Sequence, residues 1–296
     1  MKKTYLYAAS AIFCWSTVAT VVKLLLGSFN SMQILSVSTL FAFLALLAVN
    51  IISGNIKNLK KYKAKDFLIS VLIGLPGTFF YYIFYYAGTS KMAASQAFII
   101  NYLWPIMSIV FACIILGERL TPRKCIAVVL SFFGVVVVSS KGIFSNSNGI
   151  VLGAVLCFLG AVSYGVFTAL NQKFHYEKRL SMMINYAVTF VLTTIINVSG
   201  GNLPQLAPIQ VLGFAWNGAA TMAIAGTAWM LALESGKTAK ISNLAYITPF
   251  LSLVWTRLVL KEPIAPLSLI GLGLIVLGIF IQLKDKKSVS SSKEKE

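Results

Sequence analysis

The sequence predicts an all-α integral membrane protein. Ten transmembrane helices form two inverted five-helix repeats, with both termini in the cytoplasm. Three observations lead there. Of 296 residues, 58% are hydrophobic and only 11% are charged, too few to cover the surface of a water-soluble domain. The basic residues lie between apolar segments and favour one side. Finally, a pattern around residues 101–134 returns 144 positions later: Tyr102 with Tyr246, Pro105 with Pro249, Glu118 with Glu262, Pro122 with Pro266 and Gly134 with Gly278. Such a repeat in so apolar a chain reads as duplication of a membrane bundle.

The apolar segments are 4–26, 32–53, 67–89, 92–116, 122–140, 148–172, 179–198, 208–234, 238–260 and 264–283. Each approaches the ~20 residues that cross ~30 Å of hydrocarbon, and each must be helical because an open strand edge has no partner in lipid. The first follows Lys2 and Lys3, lacks a small-residue cleavage site and is long enough to stay in the bilayer, so no cleavable signal is expected. Segment 3 carries four tyrosines, Tyr81, Tyr82, Tyr85 and Tyr86. Segments 4 and 9 carry Pro105 and Pro249 and are followed by Glu118 and Glu262. The organisation expected is a first repeat over 1–141, a polar linker at 142–147, a second repeat over 148–283 and a Lys/Ser/Glu-rich tail, 284–296, expected to be disordered.

With the N-terminus inside, 20 of the 25 Lys and Arg residues fall on the cytoplasmic side, which fixes the orientation. The same placement argues against nucleic acid despite a net charge of +17: there is no basic stripe and no exposed aromatic platform. Five helices per half is an odd number, so the second half starts from the opposite side and the duplication is inverted. That geometry puts a binding site at the bilayer midplane between the halves and suits transport. Cys14, Cys113, Cys125 and Cys157 form no CxxC pair, and His175 is the single histidine, so no metal site and no cofactor are expected. No phosphate-binding GxxxxGK[ST] loop is present, and His175 with Glu177 is too little for a membrane enzyme.

At this point the sequence resembles the drug/metabolite transporter superfamily in its EamA-type branch: ten helices in two repeats and a twice-used Pro…Gly-Glu…Gly pattern, with Lys261 where the first copy has Gly117. A narrower match joins Trp15-Ser16-Thr17, Asn101-Tyr102-Leu103-Trp104-Pro105 and the Tyr246-to-Pro249 stretch, which look like the bacterial aromatic amino-acid exporters of that branch. The resemblance implies export of small metabolites, commonly amino acids, by alternating access across a bacterial inner membrane. It also implies a cavity lined by helices 1, 3, 4, 6, 8 and 9, with 5 and 10 outside. Another metabolite or a drug is the competing cargo. A monomer or weak dimer in the bilayer is expected.

Candidate residues follow from position and chemistry. Pro105 and Pro249 each remove a helical hydrogen bond at membrane depth and read either as cavity-shaping hinges or as static kinks. Trp104 and Tyr246 flank them, with Asn101 on Trp104's face. Trp15, Tyr164 and Trp229 lie at interior depths, and Tyr82 shares a face with Tyr85 or with Tyr86 by helical spacing. Aromatic faces suit both the side chain and the ammonium of an amino acid, and core packing is the competing reading. Asn171, Gln172, Asn217 and Asn243 are hydrogen-bond donors for a ligand or for neighbouring helices. Gly74, Gly77, Gly160, Gly165 and Gly226 read as close-approach points. Lys23 either holds a substrate carboxylate or snorkels to the interface. None of the eight acids sits mid-membrane, so no proton relay is evident and facilitated, gradient-driven export is expected. Glu234 is the nearest candidate for a relay. Glu118 and Glu262 read as fasteners to Arg119, Arg123 or Lys261.

Overall fold

Helix α1 (Lys2–Leu25) leads into α2 (Ser31–Ile52), whose start is fixed by a reciprocal cap: Asn30 accepts from Gln33 N while the Gln33 side chain accepts from Asn30 N. The computed structural model describes residues 2–144, 148–174, 177–233 and 244–293. The chain continues through α3 (Ala64–Lys91), α4 (Ala94–Leu116), α5 (Pro122–Phe144), α6 (Asn148–Lys173) and α7 (Lys178–Ser199). The rest is α8 (residues 208–233), α9 (Ala245–Val259) and α10 (Pro266–Lys293). The described residues hold no strand. Among the described residues, seven helices, α1 to α7, are long and apolar enough to cross a membrane, and α9 and the first part of α10 are shorter apolar helices.

Two boundaries differ from the sequence reading. Helix α5 runs to Phe144, into the segment assigned as linker, and α10 runs to Lys293 instead of stopping at 283. Neither a glycine nor a proline follows Gly278 in that stretch, and Lys and Gln are good helix formers, so nothing ends the helix once the apolar part is complete.

Packing follows the 144-residue offset. The most extensive pairings are α5 with α10, α3 and α4 with α6, and α2 with α7, followed by α2 with α8 and α1 with α8 and α9. Exchanging each helix for its counterpart five places on turns α3·α6 into α8·α1 and α4·α6 into α9·α1. It leaves α2·α7 and α5·α10 as self-pairs. At α5·α10 this holds atom by atom. A Cβ on Gly134 would meet the Gly271 carbonyl at 2.7 Å, and one on Gly278 would meet the Ala127 carbonyl at 2.8 Å. These are the same contact seen from either repeat, and only glycine lets the backbones come so close.

The turns after α4 and α9 also match. Glu118 N donates to Ala112 O and Glu262 N to Thr256 O, both at 3.4 Å. Each bond closes over a left-handed residue, Gly117 (φ 70°) in the first copy and Lys261 (φ 56°) in the second. A left-handed non-glycine residue costs roughly 1–2 kcal/mol. Lys261→Gly is therefore expected to raise the Tm in detergent by a few degrees, whereas Gly117→Lys is expected to lower it.

Helices α3 and α8 each contain a π-helical stretch, Pro76–Phe80 and Trp216–Ile224. The offset carries 76–80 onto 220–224. Helices α4 and α9 each break one turn before their proline, at 102–103 and at 245–247. Proline has no N–H to return to the carbonyl four residues back, so the chain tightens there.

Candidate functional site

The broken and π-containing helices surround a cavity of about 410 Å³, within the range that holds a small ligand. Its inner part is aromatic. Tyr81, Tyr82 and Tyr85 from α3, Trp104 from α4 and Tyr164 with Phe167 from α6 line it. Ring centroids of Tyr81 and Tyr164 are 4.8 Å apart, those of Trp104 and Tyr164 5.2 Å in an edge-to-face arrangement, and those of Tyr164 and Phe167 5.5 Å. Asn101 donates to the Tyr81 hydroxyl at 2.9 Å. Trp15 and Trp229 form a second ring pair at 5.4 Å on the wall made by α1 and α8, and Trp15 Nε1 donates to the Thr221 carbonyl.

One end of the cavity reaches the surface beside Gln172, Lys178 and Arg179. The other end is shut. There the turn between α3 and α4 is clamped from both sides. The Lys23 ammonium donates to the carbonyls of Thr89 (2.9 Å) and Met92 (2.6 Å), and Glu262 accepts from Ala94 N (3.0 Å), Ser95 N (3.3 Å) and Ser95 Oγ (3.3 Å). A cation thus sits on the negative C-terminal end of α3 and an anion on the positive N-terminal end of α4, the favourable sense at both dipoles. Thr89, Met92, Ala94 and Ser95 are buried. Glu118, the counterpart of Glu262, instead pairs with Lys124 at 3.0 Å in a half-exposed setting.

Of the residues singled out from the sequence, Trp15, Tyr82, Tyr85, Asn101, Trp104, Tyr164 and Trp229 come together around this cavity. Two do not. Tyr246 packs its ring on Phe280 of α10 at 5.2 Å, and Lys23 spends its donors on the closing turn. Asn243 and Glu234 lie outside the described residues. Asn217 is occupied by Ser38 and Tyr86, so its role is helix bonding. Ser16 and Thr17, next to Trp15, accept from Trp255 and Trp216, so this motif joins α1 to α8 and α9. Gly226 has nothing within 4 Å of a Cβ position and leaves space in the cavity wall, unlike Gly74, which abuts Asn185. Helices α2 and α7 also reach the lining, through Leu46 and Met182, while α5 and α10 stay outside.

Tyr81, Phe167 and Thr168 are additional lining residues. Helical spacing alone does not select Tyr81 over Tyr86. The π stretch at 76–80 just before them adds a residue to the turn and rotates every later side chain.

A family model described as the EamA-like transporter family matches residues 2–140 and again 151–283. The chain belongs to this family. The two matched stretches are the two halves related by the 144-residue offset. An uncharacterized transporter of Archaeoglobus fulgidus is 26% identical over 294 residues, 97% of this chain and all of that one. The aromatic amino acid exporter YddG of Ancylobacter novellus is 24% identical over 183 residues, 60% of this chain and 63% of that protein. A crystal structure covering 95% of this chain and 96% of its own aligns with a TM-score of 0.67 at 19% identity, a likeness of fold. This EamA-like transporter is therefore a multi-pass membrane protein, and its cavity is the place to look for cargo.

Proposed function

We propose that the chain exports aromatic or bulky apolar amino acids across a bacterial inner membrane by alternating access. Its ten helices span as two inverted repeats, and both termini are cytoplasmic. The observation that carries the reading is the cavity itself. It is walled by aromatic rings and amides, holds no carboxylate among the described lining residues, and opens beside Lys178 and Arg179. Rings take an apolar side chain, amides satisfy a zwitterion, and cations at the mouth favour a carboxylate over a drug cation. The excess of basic residues makes the open end cytoplasmic, the side from which an exporter loads. The symmetric pairing of the helices supports two equivalent arrangements, one open to each side. The YddG relative supports the cargo class.

The test is flux from proteoliposomes preloaded with labelled Phe, Trp, Thr or a quaternary ammonium, with and without a pH gradient. Saturable loss of Phe and Trp, unaffected by the gradient, is the expected result. Movement of the ammonium alone would replace this cargo with a drug cation, and strict dependence on the gradient would reject facilitated transport.

A further inference from the structure

The two repeats treat their proline breaks differently. Pro249 has no N–H for the Ala245 carbonyl, and that carbonyl instead accepts Thr248 N–H and the Tyr102 hydroxyl, the latter at 2.6 Å. Pro105 likewise offers no N–H to the Asn101 carbonyl. The residue that would answer it by the 144-residue offset is Tyr246. Its ring lies on Phe280, and its hydroxyl makes no hydrogen bond among the described residues. Asn101 itself carries an unmet acceptor on its side chain. Its side chain is only 4% exposed, its Nδ2 donates to Tyr81, and its Oδ1 has no partner.

A buried acceptor without a donor is costly, so in native proteins such groups are nearly always met. Here the side-chain oxygen of a residue in the wall of an aromatic cavity has no donor. Tyr81, bonded to Asn101, stands 4.8 Å from Tyr164, which is 5.2 Å from Trp104. Neutral oxygens beside aromatic faces, with no carboxylate, are the surroundings that hold a primary ammonium while leaving the rest of the ligand free to be zwitterionic.

We infer that Asn101 is the subsite for the substrate's α-ammonium group, through the side-chain oxygen that no donor within the protein meets. This rests on the aromatic amino-acid reading above and deepens it. The ammonium sits at Asn101, the ring among Tyr81, Trp104 and Tyr164, and the carboxylate points to the cationic mouth.

The experiment measures binding of L-phenylalanine, phenethylamine (no carboxylate) and 3-phenylpropionate (no amine) to the purified full chain in lipid nanodiscs. Wild type is compared with Asn101→Leu and Tyr81→Phe. Wild type is expected to bind L-phenylalanine more tightly than phenethylamine, which lacks the carboxylate for the cationic mouth. It should also bind L-phenylalanine at least about tenfold more tightly than phenylpropionate, which differs only in lacking the amine, the scale of a hydrogen bond to a charged group. Asn101→Leu should erase that preference and leave phenylpropionate binding unchanged, which also reports an intact cavity. Tyr81→Phe breaks the same side-chain bond but keeps the unmet acceptor, so the preference should survive. Equal loss for all three ligands in Asn101→Leu, or an unchanged amine preference, overturns the subsite while the cargo reading stands. Failure of wild type to bind any of the three overturns both.

Discussion

Glu262→Gln is expected to open the shut end of the bundle. The carboxylate meets two main-chain N–H groups and a hydroxyl at the first turn of α4. Hydrogen bonds to a charged group are each worth roughly 1.5–3 kcal/mol, and the helix dipole adds up to about 1 kcal/mol more. Glutamine keeps the shape, loses the charge and satisfies these donors less well. A loss of about 1.5–3 kcal/mol shifts a two-state equilibrium roughly tenfold to a hundredfold. The reporter is a cysteine at Phe98, which lines the cavity towards its closed end, in a protein lacking Cys14, Cys113, Cys125 and Cys157. Labelling by a membrane-impermeant thiol reagent added from that end should accelerate by the same factor. Lys23→Met should act in the same direction, since its ammonium holds the other side of the same turn. Glu118→Gln should do little, because that carboxylate faces Lys124 at a 41% exposed position where an ion pair contributes ~1 kcal/mol or less. Unchanged labelling in Glu262→Gln would show that apolar packing, and not the clamp, keeps this end closed.

Much of the architecture was legible in the chain because lipid allows so few solutions. Apolar stretches near the bilayer thickness have to be helices, and the segments at 32–53, 92–116 and 148–172 fall within two residues of α2, α4 and α6. The 144-residue offset carried more than boundaries, since the matching glycines of α5 and α10 meet each other's partners and the two Glu turns share one backbone shape. The site was less legible, and each reason is physical. Spacing rules assume 3.6 residues per turn, and the π stretches in α3 and α8 break that assumption just where the cavity begins. Repeat symmetry places Tyr246 as the equal of Tyr102. A site between two non-identical halves need not be symmetric, however, and Tyr246 turned to Phe280 while Tyr102 took the Ala245 carbonyl. Lys23 read equally as a carboxylate ligand or as a snorkelling side chain, because a lone intramembrane charge needs a partner or a route to water. Its partners are main-chain carbonyls, which carry no sequence signature.

Trp104→Ala is expected to weaken amino-acid transport through affinity, with KM rising roughly tenfold to a hundredfold. The indole begins the second segment of α4 directly after the break and meets Tyr164 edge-on at 5.2 Å, so one ring position is fixed by backbone geometry and by a neighbour. Aromatic pairs are worth about 0.5–1.5 kcal/mol beyond the area they bury. A substrate ring lying against Trp104 loses that term together with its apolar contact, and 1.4–2.8 kcal/mol corresponds to the stated range. A stability defect is not expected to explain the loss, because the indole is only half-buried and faces a space already empty. Two comparisons separate the causes. Trp104→Phe restores a ring and should recover most of the affinity for Phe. Tyr246→Ala removes an aromatic residue beside the proline break of the second repeat, but its ring packs on α10, so it should lower Tm and leave KM nearly unchanged. If Trp104→Ala and Tyr246→Ala raised KM alike, both halves would share the binding surface equally, and a cavity built chiefly from the α3, α4 and α6 rings would no longer describe the cargo site.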